Sequence, residues 1–106
     1  MDTQSAVPVF AALAQETRLA AFRQLVEAGS TGMAAGALAT AVGVPQNTLS
    51  FHLNALQQAG LITATRRSRH IFYTVNFAAV RGVLDFLLEN CCRTEDRTCF
   101  EKTPTC

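Results

Sequence analysis

Residues 42–76 read VGVPQNTLSFHLNALQQAGLITATRRSRHIFYTVN, and the hydrophobic period changes partway along them. Leu49, Leu53 and Leu56 return at helical spacing on one face. Beyond Gly60 the period falls to two. Leu61 to Thr65 and Ile71 to Val75 are β-branched and aromatic runs separated by Arg66-Arg67-Ser68-Arg69-His70. This stretch predicts a helix from about Pro45 to Ala59, closed by Gly60 at C′, then a β-hairpin with a basic tip. Pro45 stands at or beside the first helical position, where its missing N–H does no harm.

Working back from Val42, Met33 to Val42 predicts an Ala-rich helix anchored by Leu38 and Val42, with Gly43 turning the chain. Ser30-Thr31-Gly32 is expected as a loop. An amphipathic helix precedes it, opening at Glu16 or Thr17 and ending at Gly29, with Leu19, Phe22, Leu25 and Val26 at helical spacing. Ala6 to Leu13 predicts a short apolar helix. Working forward, Asn76 is a good N-cap for a last helix from Phe77 to about Asn90. The expected fold class is mainly α with a β-hairpin wing (α+β), a winged helix-turn-helix. Residues 1–92 would form one DNA-binding and dimerisation domain, and residues 93–106 a polar, cysteine-bearing tail.

The last helix carries more apolar surface than one small core needs. Val80, Leu84, Leu87 and Leu88 form a stripe that Phe77, Val83 and Phe86 widen. A fully buried core helix would explain this, and so would a partner subunit. For a chain of 106 residues a homodimer is the favoured reading, through Leu84 and Leu87 with Phe10 and Leu13, and Val9 beside them.

With 49% apolar residues the chain has enough to fold, which excludes a disordered tail. No apolar run approaches the ~18 residues of a membrane span. Asp2 stands where a signal peptide needs positive charge, so a cytoplasmic protein without a membrane partner is expected. The formal net charge is only +1, yet no acid lies between Ala28 and Leu84, where Arg66, Arg67, Arg69 and Arg81 fall. Arginines neutralise phosphates and release counterions, and acids would oppose this. A sparsely charged small domain would show the same asymmetry.

Two helices about the Gly43 turn, followed by a hairpin, make the second helix the candidate for a DNA major groove. The face opposite its leucines carries Gln46, Asn47, Ser50, Phe51 and Asn54. Gln and Asn pair with adenine edges, Ser bonds either way, and Phe packs on a thymine methyl. An ordinary solvated face also carries such residues. His52, at the border of the inward face, is expected to make a structural hydrogen bond and not to bind metal. His70 flanks the wing.

These segments resemble the ArsR/SmtB family of bacterial repressors: LAQETRLAAFRQLVEAG, VGVPQNTLSFHLNALQQAGLI and RRSRHIFYTVN. The most specific part is the S-x-H-L-x-x-L-x-x-A-G-L run from Ser50 to Leu61. The resemblance implies a dimeric winged helix that binds operator double-stranded DNA and leaves it when an inducer binds. Gln46, Asn47, Ser50 and Phe51 would then face the groove. Arg66, Arg67 and Arg69 would follow phosphate or the minor groove.

All four cysteines lie at the C-terminal end: Cys91, Cys92, Cys99 and Cys106. Clustered thiols in a reducing compartment serve metal or redox work more often than structural bridges. The C-x₂₋₄-C pairs of structural zinc sites are absent. Adjacent cysteines in a helix point ~100° apart, so Cys91 and Cys92 can grip one atom only where the helix unwinds. Thiolates select soft metals and metalloids. With Cys99 they would form a three-sulfur pyramid around As(III) or Sb(III), with Cys106 dispensable.

Family comparison narrows the choice. Zinc sensors of the family carry Asp, His and Glu ligands on the last helix, which has no histidine here. The C-x-C of many lead, cadmium and arsenic sensors has no counterpart in Met33 to Leu38. The chain is similar to arsenic-responsive members whose cysteines follow the last helix, which implies an arsenical-resistance repressor. A disulfide switch such as Cys92–Cys99 is the alternative. A thiol enzyme or metal carrier is less favoured, since the sequence has no phosphate loop, no C-x-x-C and no paired histidine base beside a cysteine. The expectation is a protein that is not an enzyme.

Overall fold

The computed structural model describes residues 1–91, in five helices and a three-stranded antiparallel sheet of order β1-β3-β2. Helix α1 spans Thr3–Leu13 and α2 spans Glu16–Ala28. A single 3₁₀ turn, Gly29–Thr31, leads to β1 (Met33–Ala34), α3 (Ala35–Val42) and α4 (Gln46–Gln58). Strands β2 (Ile62–Arg67) and β3 (His70–Val75) form the hairpin, and α5 spans Phe77–Leu88.

Helix α1 starts earlier than its apolar run because Asp2 caps it. The Ser5 N–H donates to Asp2 Oδ1 at 2.8 Å, satisfying a donor the helix leaves open. That bond holds the Asp2 carboxyl below the usual carboxylate range. In α2, Gln15 caps by accepting from the Arg18 N–H at 2.8 Å. Phe22 and Leu25 are buried as expected, but Leu19 and Val26 are exposed. The inward stripe uses the small Ala21 instead, which lets α2 pack against α1, α3, α4 and β3.

Two expectations need correction. Met33 and Ala34 are not helical: they pair with Tyr73 and Phe72 as a third strand. Gly32 permits this, since a Cβ there would lie 2.5 Å from the Tyr73 carbonyl oxygen. The wing tip is also tighter than the basic run suggested. Arg66 and Arg67 belong to β2 and His70 to β3, leaving Ser68-Arg69 as a two-residue turn with Ser68 at φ 57°.

Gly43, at φ 84°, ends α3 in the left-handed conformation, and Pro45 stands at the N-cap of α4. Asn76 ties α5 to the body. Its Oδ1 accepts from the Ala79 N–H, and its Nδ2 donates to the Gly60 carbonyl at 3.1 Å. Leu25, Leu38, Leu49, Leu53, Leu56 and Leu61 are fully buried at the centre. Among the described residues no buried side-chain N or O lacks a hydrogen-bond partner, and no helix is long and apolar enough to cross a membrane.

Candidate nucleic-acid interface

Helix α4 is oriented by its leucines. Leu49, Leu53 and Leu56 are at most 1% exposed, so helical geometry turns Gln46, Asn47, Ser50, Phe51 and Asn54 outward, and all five are exposed. Phe51 is 67% exposed, a large apolar ring set among polar groups. The Ser50 hydroxyl donates to the Gln46 carbonyl at 3.0 Å, which leaves its oxygen to accept. Asn47 Oδ1 accepts from the Thr48 N–H at 3.0 Å, and its NH₂ group keeps both donors. This face therefore offers donors, acceptors and one apolar ring.

His52 makes the structural bond expected of it. Arg18 Nε donates to His52 Nδ1 at 3.2 Å, which needs the imidazole proton on Nε2. The Phe51 and His52 rings meet edge-on, 5.4 Å between centroids. Arg18 lies 34 positions away in the chain, and no sequence pattern flagged it.

The wing arginines divide into two kinds. Strand alternation sets Arg66 opposite Ile71 and Arg67 opposite His70, on different faces of the hairpin. Arg67 Nη1 donates to the Thr31 carbonyl at 3.1 Å, and its guanidinium stacks 4.9 Å from the Phe72 ring centroid. Arg66 and Arg69 are exposed and have no partner among the described residues. Arg81, also in the acid-free stretch, is balanced by Asp85 at 3.4 Å. An open cleft of about 300 Å³ joins Gln46 and Ser50 of α4 to Arg69, His70, Ile71 and Tyr73 of the wing. The fold thus brings the helix face and the wing tip to one surface.

The residues expected at a subunit interface separate. Phe10, Leu84 and Leu87 are exposed, with Val7, Phe77 and Leu88 alongside them in the same helices. Leu13 is only half-buried and packs on the chain's own core, and Val9 is buried within it. In α5 only Val83 is buried. Helix α5 ends at Leu88, before the expected Asn90. Asn90 takes a positive φ of 63°, and Cys91 follows, half-buried. Cys92, Cys99 and Cys106 lie outside the described residues.

Comparison with known proteins identifies the helix-turn-helix fold. The family model described as a helix-turn-helix domain matches residues 13–64. The nodulation protein NolR of Rhizobium meliloti is 35% identical over 86 residues, 81% of this chain and 68% of its own length. An ArsR-like transcriptional regulator from a Rhodococcus species superposes with a TM-score of 0.71 at 33% identity, covering 79% of this chain and 76% of that one. The homodimeric winged helix-turn-helix DNA-binding domain of a possible ArsR-family transcriptional regulator from Mycobacterium bovis gives 0.64 at 33% identity, covering 82% and 84%.

Proposed function

The chain belongs to the ArsR/SmtB family of winged helix-turn-helix transcriptional regulators, and from that membership we propose that it is a homodimeric operator-binding repressor induced by As(III) or Sb(III). The observation that carries the DNA reading is the α4 face. Five exposed side chains of base-reading type stand on a helix locked by three buried leucines, beside a wing with two arginines that have no partner among the described residues. The exposed apolar residues of α1 and α5 support the dimer, as does the homodimeric Mycobacterium bovis neighbour.

The inducer site rests on Cys91, Cys92 and Cys99. Helix α5 ends before Cys91 and the chain turns at Asn90, so Cys91 itself is not held in the helix, as two adjacent thiolates on one atom would require. Capture there would act on the end of α5, beside the exposed Leu87 and Leu88, and a coupling of ~1–3 kcal/mol would suffice to release operator.

The test selects an operator from random duplexes with the reduced full chain, then titrates arsenite against the complex. Cys91→Ser, Cys92→Ser and Cys99→Ser should keep DNA binding and lose the response, while Cys106→Ser responds normally. A triple variant that still responds would sink the inducer assignment, and failure to select any sequence would sink the repressor reading. Release by oxidant alone, with arsenite inert, would favour a disulfide switch instead.

A further inference from the structure

Two arginines tie α4 and the wing to α2 and to the turn that follows it. Arg18 lies in the first turn of α2 and donates to His52 on α4. Thr31 lies just past the C-terminal end of α2, and its carbonyl accepts from Arg67 of β2. Phe72 supports the Arg67 guanidinium from the neighbouring strand. A second contact sits at the same place, where Gly32 passes so close to the Tyr73 carbonyl that no Cβ fits. Between these two attachments run Leu19 to Ala28 of α2, about 15 Å at 1.5 Å per residue, and then the Gly29–Thr31 turn.

We propose that Arg18 and Arg67 are positioning residues that fasten the recognition helix α4 to the first turn of α2 and the wing to the turn just past the other end of α2, fixing the two DNA contacts relative to each other. This rests on the DNA-binding reading above. A two-stranded ribbon projecting without a brace is marginally stable, so contacts would have to order it at the moment of binding. Arg67 holds it in place beforehand. Phosphate neutralisation falls to Arg66 and Arg69, whose guanidinium groups have no partner among the described residues.

The two roles differ in measurable ways. A phosphate ligand contributes about 0.9 to the slope of log affinity against log salt and leaves the unbound protein unchanged. A brace leaves the slope alone and changes the unbound protein. The experiment uses the reduced full chain, with amide hydrogen exchange measured without DNA and affinity for the selected duplex measured across a salt series. Arg67→Gln should speed exchange across residues 62–75 several-fold while α3 and α4 stay protected. It should lower affinity about tenfold at every salt concentration, with the slope unchanged. Arg67→Lys, which can still reach the Thr31 carbonyl, should restore much of the protection. Arg18→Gln should likewise lower affinity without changing the slope. Arg69→Gln should show normal exchange and a slope reduced by about 0.9 per subunit.

Normal exchange in Arg67→Gln, with or without a reduced slope, overturns the proposal. If the unsubstituted chain retains no duplex even at low salt, the DNA-binding reading fails, and the exchange data still decide whether Arg67 braces the wing.

Discussion

Asn47 and Arg69 are both exposed on the surface proposed to face DNA, yet the physics of the contacts proposed for them differs. An amide reads a base edge with paired donor and acceptor, whereas a guanidinium at a wing tip meets the uniform phosphate charge. Asn47→Ala should therefore cost roughly 1–3 kcal/mol on the preferred duplex and almost nothing on unrelated ones. A panel of single-base operator variants checks this: preference should flatten at one position per half-site, and a uniform loss would exclude base reading. The helix face was legible in the sequence because three leucines at i, i+4 and i+7 leave one way to orient α4. The role of Arg67 was not. Ser68 at positive φ carries none of the Asn-Gly signal that marks a two-residue hairpin turn, so the basic run read as a loose tip. Once the turn is placed, alternation sets Arg67 and Phe72 on one face, and their contact follows.

At the scale of elements, the helices were legible because their apolar residues repeat over two or more turns, and β1 was not because it has only two residues, too few to show any period. Its existence depends on Gly32. That residue, at φ 71° and ψ −173°, sits in a backbone region essentially restricted to glycine, and any Cβ would strike the Tyr73 carbonyl. Gly43 makes a useful contrast, since it is left-handed but open to solvent, with nothing near a would-be Cβ. Gly43→Ala should then cost only about 1 kcal/mol of backbone strain. Gly32→Ala adds a steric clash and should cost about 3 kcal/mol, with loss of the β1–β3 pairing. Denaturant midpoints for the two variants test the ranking, and equal midpoints would mean that β1 adapts freely. Because the Arg67 brace lands on the adjacent Thr31, Gly32→Ala should also loosen the wing.

For the whole molecule, the deciding quantity is the apolar surface that one chain leaves uncovered. Helix α5 buries Val83 alone, while Phe77, Leu84, Leu87 and Leu88 remain exposed, as do Val7 and Phe10 of α1. Such a face fits the proposed homodimer, and the state of single variants can separate an interface from a merely oily surface. Leu84 is 49% exposed and Leu87 55% exposed in the single chain, so Arg at either place can reach water there and should barely disturb the fold. Across a dimer seam the same guanidinium would be desolvated without a partner, at an effective cost of several kcal/mol. Each 1.4 kcal/mol is a factor of ten in the dimer constant, so Leu84→Arg and Leu87→Arg should weaken association by two orders of magnitude or more. Sedimentation at micromolar concentration should give a dimer for the unsubstituted chain and a folded monomer for each variant, with helical circular dichroism retained. Operator affinity should fall with dimerisation, since two half-sites on one duplex face need two recognition helices held at a fixed spacing. Variants that stay dimeric would move the interface off α5. An unfolded variant would mean that the single chain does not hold its fold without the partner subunit.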